Sequence, residues 1–183
     1  AMQTATVRQG VNVMKTAQVA NKQTESSEIE EQFLTFNLDG QEYGITALKV
    51  QEIKGWERVT PIPNSPPYVR GVLNLRGLIV PIIDLRLRFN LMEAEYTPIT
   101  AIVVVNIGAR LAGLVVDSVS DVMRVGVNQR CAAPDYEGYK DREFISGLAQ
   151  IDKKLLILLD IDQLISPDVL DKTDTESEGV PTL

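Results

Sequence analysis

Two segments of this chain repeat one pattern, and the repeat limits the folds open to it. Gly71 opens the apolar run GVLNLRGLIVPIID, which closes thirteen residues later on Asp84. Gly147 opens a second, GLAQIDKKLLILLD, which closes thirteen residues later on Asp160. Each is a pair of apolar stretches around a polar turn, the signature of a β-hairpin. An earlier pair runs in the same order: Gly44 lies six residues before Val50-Gln-Glu-Ile53, and Gly113 lies six before Val119-Ser-Asp-Val122. Two matches in one order make the halves diverged copies of a single all-β unit, with a period of about 70 residues. Each copy holds about five short strands, and five short strands escape an open edge by closing into a small barrel.

The remaining segments fit that reading. FLTFNLDGQEYGI, Phe33 to Ile45, is a hairpin around Asp39-Gly40, the dipeptide a type I′ turn prefers. TALKVQEIKGW reads as one helical turn leading into a strand. Four prolines between Pro61 and Pro67 exclude regular helix or a central strand there. AIVVVNIGARLAGLVV turns near Gly108, a loop runs from Asn128 to Arg142, and the last hairpin ends in a stretch, Ile161 to Ile165, that turns helical. Residues 1–30 and 167–183 are polar and read as flexible tails. The ordered domain is expected over 31–166, as two pseudo-repeated barrel subdomains with short helices at connections and at the C-terminal end.

Composition removes function classes. A net charge of −7 argues against nucleic acid, whose phosphates need a basic face, and disfavours an anionic membrane surface. No apolar run approaches the ~20 residues of a membrane span, and the N-terminal segment lacks the apolar core of a signal peptide, so a cytoplasmic location and no membrane insertion are expected. The chain has no histidine and one cysteine, Cys131. It therefore builds no Ser-His-Asp or Cys-His site, no imidazole or thiolate zinc site, and carries no phosphohistidine. Without a base to activate it, Cys131 reads as a small inert residue. Carboxylate chemistry survives these exclusions. Yet Asp84, Asp117 and Asp160 each end an apolar run, where aspartate caps the following turn or helix. A receiver-type phosphoacceptor needs alternating βαβ units, and no Walker loop or GxGxxG is present. No active site, metal or cofactor is expected. What remains is surface: a groove between two barrels and apolar barrel ends, suited to a docked peptide or helix.

The copies differ at their turns. Arg76-Gly77 in the first reads Asp152-Lys153-Lys154 in the second, and Glu52 becomes Asp121. A shared scaffold explains the common glycines and apolar residues without requiring Arg76. A Glu52–Arg76 ion pair accounts for both charges, and removing one partner of such a pair, if partly buried, costs a few kcal/mol.

EYGITALKVQEIKGW, TPIPNSPPYVRGV, NLRGLIVPIIDLR and GLVVDSVSDV together resemble CheW, the coupling-protein family of bacterial chemotaxis, over roughly residues 31–166. The resemblance implies two SH3-like five-stranded barrels and an adaptor without catalysis. It implies as partners the cytoplasmic tip of methyl-accepting chemotaxis receptors, the regulatory domain of the histidine kinase CheA, and further copies of the adaptor in rings. By matching position it implies receptor-side residues Val50, Glu52, Gly71, Arg76, Ala101 and Val122, and kinase-side residues Ala47, Leu48, Cys131 and Tyr136. Ala101 departs from the larger β-branched residue common in the family, and Cys131 from a position often basic. An adaptor of the same type in a non-flagellar receptor–kinase pathway, for surface motility or development, is the alternative reading.

Overall fold

Alternation along one strand accounts for the separation of two apolar clusters. Ala101, Val103 and Val105 point into one apolar cluster, while Ile102 and Val104 between them point into another. A strand buried on both faces reads as an unbroken apolar run, which is what AIVVV is. The computed structural model describes residues 29–91, 95–132, 143–165 and 170. Nearly all of both expected tails, most of the expected 128–142 loop and Tyr136 lie outside the described residues.

In chain order the strands are β1 (Glu30–Leu38), β2 (Gln41–Thr46), β3 (Val50–Gly55), β4 (Val69–Leu75), β5 (Leu78–Asp84), β6 (Ala101–Ile107), β7 (Arg110–Val116), β8 (Ser118–Gly126), β9 (Arg130–Cys131), β10 (Ile145–Ile151) and β11 (Lys154–Leu159). Short helices α1 (Leu85–Arg88) and α2 (Ile161–Leu164) follow β5 and β11, and a 3₁₀ turn, Ala47–Lys49, joins β2 to β3. One sheet runs β8-β1-β2-β11-β10-β9 and the other β3-β6-β7-β5-β4.

The two orders are one order. Substituting each strand by its repeat partner (β1 by β6, β2 by β7, β3 by β8, β4 by β10, β5 by β11) turns the second sheet into β8-β1-β2-β11-β10. The irregularities correspond too. Both sheets contain one parallel pair, β2–β11 and β5–β7. Both hairpins of the opening motif slip register at their first glycine, Gly71 and Gly147. The sheets are nevertheless not one per copy. The chain starts in the first sheet, crosses at Ala47–Lys49, builds all five strands of the second sheet from β3 to β7, and crosses back at Asp117. Exchanged and unexchanged arrangements bury the same residues in the same pairings, so periodicity reveals the equivalence of strands but not which copy supplies each one.

Each sheet curls around its own cluster, as paired SH3-like barrels do. Phe33, Val125, Ala149, Leu156 and Leu158 fill the first. Leu73, Val80, Ile82, Ile102, Val104 and Val115 fill the second. A third and larger cluster lies between them and draws on both sheets, with Leu34, Phe36, Ile83, Val103, Leu114 and Leu159 among its members. Gly44 and Gly113 are equivalent positions inside the two barrels, each in register with a large residue of the parallel partner, Leu158 and Ile82. The fits differ. A Cβ on Gly113 would stand 2.5 Å from Ile82 Cδ1 and 2.9 Å from Ile102 Cγ2, whereas one on Gly44 would stand 3.3 Å from Leu156 and Leu158. Urea unfolding should therefore show Gly113→Ala destabilised by about 1–3 kcal/mol through overpacking, and Gly44→Ala by clearly less.

Candidate protein-docking surfaces

The turn that carries Arg76 has a twin inside the chain. Asn37-Leu-Asp39-Gly40 and Asn74-Leu-Arg76-Gly77 share one device. Asn37 Oδ1 accepts the Gly40 N–H at 3.0 Å, and Asn74 Oδ1 accepts the Gly77 N–H at 2.9 Å. The central residues have positive φ in both, +50° and +79° in the first, +52° and +90° in the second, as a type I′ turn requires. Asp152 opens the β10–β11 turn at φ +56°. Short polar side chains tolerate this region and arginine does so less well. Turn chemistry thus favours Asp or Asn where Arg76 stands.

Arg76 is 79% exposed, and its Nη2 donates to Glu52 Oε2 at 2.6 Å. The bond places β3, one end of the five-stranded order, against the β4–β5 turn at the other. A pair this open to water contributes at most about 1 kcal/mol. The few-kcal cost expected of a partly buried pair does not apply, because the guanidinium stands in solvent. Leu78 and Ile79, which follow the turn, are 58% and 49% exposed. Sequence reading missed these two. The signal was three consecutive apolar residues, Leu78 to Val80, of which an alternating strand end buries only the last.

The other residues implied on the receptor side are distributed unevenly. Val50 is half-buried on β3, packed against the inter-barrel cluster. Val122 is exposed on β8, an edge strand of the other sheet, opposite Leu34. Gly71 and Ala101 are buried. Gly71 has φ +142°, and a Cβ there would run into the Thr60 carbonyl oxygen. Ala101 pairs with Gly55 and Val116. These two shape the backbone beneath the face and offer little surface of their own.

At the corner where the chain leaves the six-stranded sheet, Leu48 projects almost fully into solvent, 91% exposed, from the 3₁₀ turn, with Ala47 half-buried beside it. Cys131 is exposed on β9 at that sheet's edge, paired with Leu148. Their neighbours Thr46, Lys49 and Arg130 line one shallow depression, so the two positions flank a common surface. Lys49 Nζ pairs with Asp162 Oδ2 at 2.7 Å across it. Arg130 pairs with Glu31 and lies over the Phe33 ring, and its guanidinium holds the Glu31 carboxyl below the usual carboxylate range.

The three strand-end aspartates are committed to structure. Asp84 and Asp160 cap α1 and α2, accepting backbone N–H bonds from Arg86 and from Asp162 and Gln163. Asp117 does something else: its Oδ2 accepts the Asp39 N–H at 2.8 Å and its Oδ1 pairs with Arg86 Nη1 at 3.2 Å. Arg86, absent from the sequence-level candidates, is 2% exposed. Among the described residues no group of three or more Asp, Glu, Cys or His side chains could hold a metal ion, and no helix is long and apolar enough to cross a membrane. Burial raises the phenols of Tyr43 and Tyr96 above their ordinary value of 10.0. A raised phenol stabilises the folded state fully below the unfolded value and loses that contribution as pH rises through the folded one. Ultraviolet titration should show two tyrosines ionising late, with stability falling over the same alkaline range.

Comparison with known proteins gives a consistent picture. The model of the family described as "CheW-like domain" matches residues 32–168. Chemotaxis protein CheW of Klebsiella aerogenes is 43% identical over 149 residues, 81% of this chain and 90% of that protein. Chemotaxis protein CheW of Bacillus subtilis is 33% identical over 147 residues, 80% of this chain and 91% of that protein. The crystal structure of the scaffolding protein TtCheW from Thermoanaerobacter tengcongensis aligns with a TM-score of 0.71 at 30% identity, covering 77% of this chain and 96% of that one.

Proposed function

This chain belongs to the CheW-like domain family, a family of non-catalytic chemotaxis adaptors, and from that premise we propose that it couples the cytoplasmic tip of methyl-accepting chemoreceptors to the regulatory domain of the histidine kinase CheA. The receptor tip takes the face of Val50, Glu52, Arg76 and Val122, shaped from beneath by Gly71 and Ala101. The kinase domain, or a further copy of this chain in a ring, takes the face of Ala47, Leu48 and Cys131, and Tyr136, outside the described residues, is its fourth proposed contact. The adaptor works in the cytoplasm, in receptor arrays beneath the inner membrane.

One observation carries this reading. Arg76 is an exposed arginine in a turn whose own chemistry favours Asp or Asn, in a hairpin whose repeat partner lacks it, beside exposed Leu78 and Ile79. Nothing in the scaffold requires it there, which leaves a partner as its use. An adaptor of this kind acts by differential contact: a partner that binds one conformation better shifts the population the second partner meets. Moderate contacts suffice, because an array supplies avidity.

A pull-down tests it. An immobilised receptor-tip fragment should retain the kinase regulatory domain only when this chain is added. Retention that is the same with and without the chain would contradict the proposal.

A further inference from the structure

The chain crosses between the sheets twice, and each crossing corner is pinned by an ion pair to the short helix that follows one of the repeated hairpins. At the first corner, Lys49 pairs with Asp162 of α2. At the second, Asp117 pairs with Arg86 of α1. Asp162 and Arg86 are equivalent, each two residues beyond its capping aspartate. The repeat therefore keeps a pinned corner while reversing the signs of its charges.

The two pins differ in burial. Lys49 and Asp162 are 35% and 46% exposed. Arg86 is enclosed by four partners. Its Nε and Nη2 fork onto Asp84 at 3.0 and 2.8 Å, and its Nη1 reaches Asp117 at 3.2 Å and the Glu95 carbonyl at 3.5 Å. Its Cζ lies 5.1 Å from the centre of the Tyr96 ring. Tyr96 donates its hydroxyl to Asp84 Oδ2 at 3.3 Å and stacks on Trp56 at 3.9 Å, interplanar angle 4°. Trp56 directly follows β3, the strand of Glu52. At the far end, Asp117 accepts the N–H of Asp39 in the β1–β2 turn of the other sheet. One continuous set of contacts thus runs from the β1–β2 turn of the six-stranded sheet, through Asp117, Arg86 and Tyr96, to the end of β3 in the five-stranded sheet.

We propose that the Asp117–Arg86 pair is a relay between the two sheets, and that Asp117 is a positioning residue through which a partner held at the Ala47–Leu48 end of β2 alters the β3 face, β2 itself carrying the displacement to the β1–β2 turn at its other end. Rigid fork geometry suits arginine to this task, since one planar guanidinium, forked on Asp84 and paired with Asp117, ties the two carboxylates through a single stiff group. The exposed Lys49–Asp162 pair is screened by water and does not transmit in this way.

The proposal rests on the reading that the kinase domain docks on the six-stranded sheet, and the test separates the two. Trp56 is the sole tryptophan of the chain, so its indole N–H gives one resonance in a ¹⁵N-labelled sample. Unlabelled kinase regulatory domain is titrated into the labelled full-length chain and its Asp117→Asn variant. The relay predicts that the indole resonance moves on binding in the native chain, and that in Asp117→Asn it stays still while the dissociation constant changes less than about twofold. It also predicts a fivefold or larger mutual effect of receptor-tip fragment and kinase domain on each other's affinity, within the range of about 5–150-fold usual for coupled sites, reduced towards one by the substitution. An indole shift that persists in Asp117→Asn, or that is missing in the native chain despite binding, overturns the relay. Should the domain not bind the native chain, the docking reading fails, and the relay is judged without a partner: Asp117→Asn alone must move both the Asp39 amide and the Trp56 indole, and a motionless indole overturns it.

Discussion

Replacing Arg86 with methionine should lower the stability of the folded chain by about 3–5 kcal/mol, the cost of breaking a buried ion pair by removing one partner. The methionine keeps the apolar stem, so lost packing contributes little. What remains is Asp84, 1% exposed, with a carboxylate that loses both arms of the guanidinium fork and retains the Tyr96 hydroxyl and the Arg86 backbone N–H. A loss of that size is a large share of the 5–15 kcal/mol available to a typical domain, and urea unfolding would read it as a lower midpoint at unchanged slope. Adding Asp84→Asn should recover much of it, because the amide carbonyl still caps α1 while the stranded charge is gone. A double variant no more stable than Arg86→Met would show that the charge was not the cause.

Arg76 lies at the opposite extreme. Arg76→Ala should leave stability within about 1 kcal/mol, since the Glu52 pair is open to solvent. Receptor-dependent activation of the kinase should nevertheless fall about tenfold or more, as expected when an interface arginine is truncated. Arg76→Asn is the sharper variant. It gives the turn the side chain its positive φ prefers, so the protein should be as stable as the native chain or slightly more so, and still fail to support activation. Together the two arginines separate the buried charge that holds the fold from the exposed charge that the fold does not need.

Much of the architecture was legible because strand periodicity is a local signal. Asp39-Gly40 and Arg76-Gly77 turn where their flanking alternation demands, and Asp84 and Asp160 cap helices as strand-end aspartates do. The exchange of strands between sheets was not legible, since Val50 or Val119 buries the same surface whichever copy supplies its neighbours. Arg86 was hidden by its setting. An arginine within Leu85-Arg-Leu87-Arg88 reads as the exposed side of a short helix, and only the long-range approach of Asp117 and Tyr96 makes it the centre of the inter-sheet contact. The Glu52–Arg76 pair was legible as an oddity, two charges in apolar surroundings, and the structure joins them at 2.6 Å.

Reciprocal binding by calorimetry tests the central claim, that one chain presents two separate faces to two partners. Arg76→Asn and Leu48→Asp are each titrated with a receptor-tip fragment and with the kinase regulatory domain. Leu48, 91% exposed on its 3₁₀ turn, tolerates the change without cost to the core. The account predicts that Arg76→Asn loses the receptor fragment and keeps the kinase domain, and that Leu48→Asp does the reverse. Loss of both partners in either variant, or of neither in both, would contradict it.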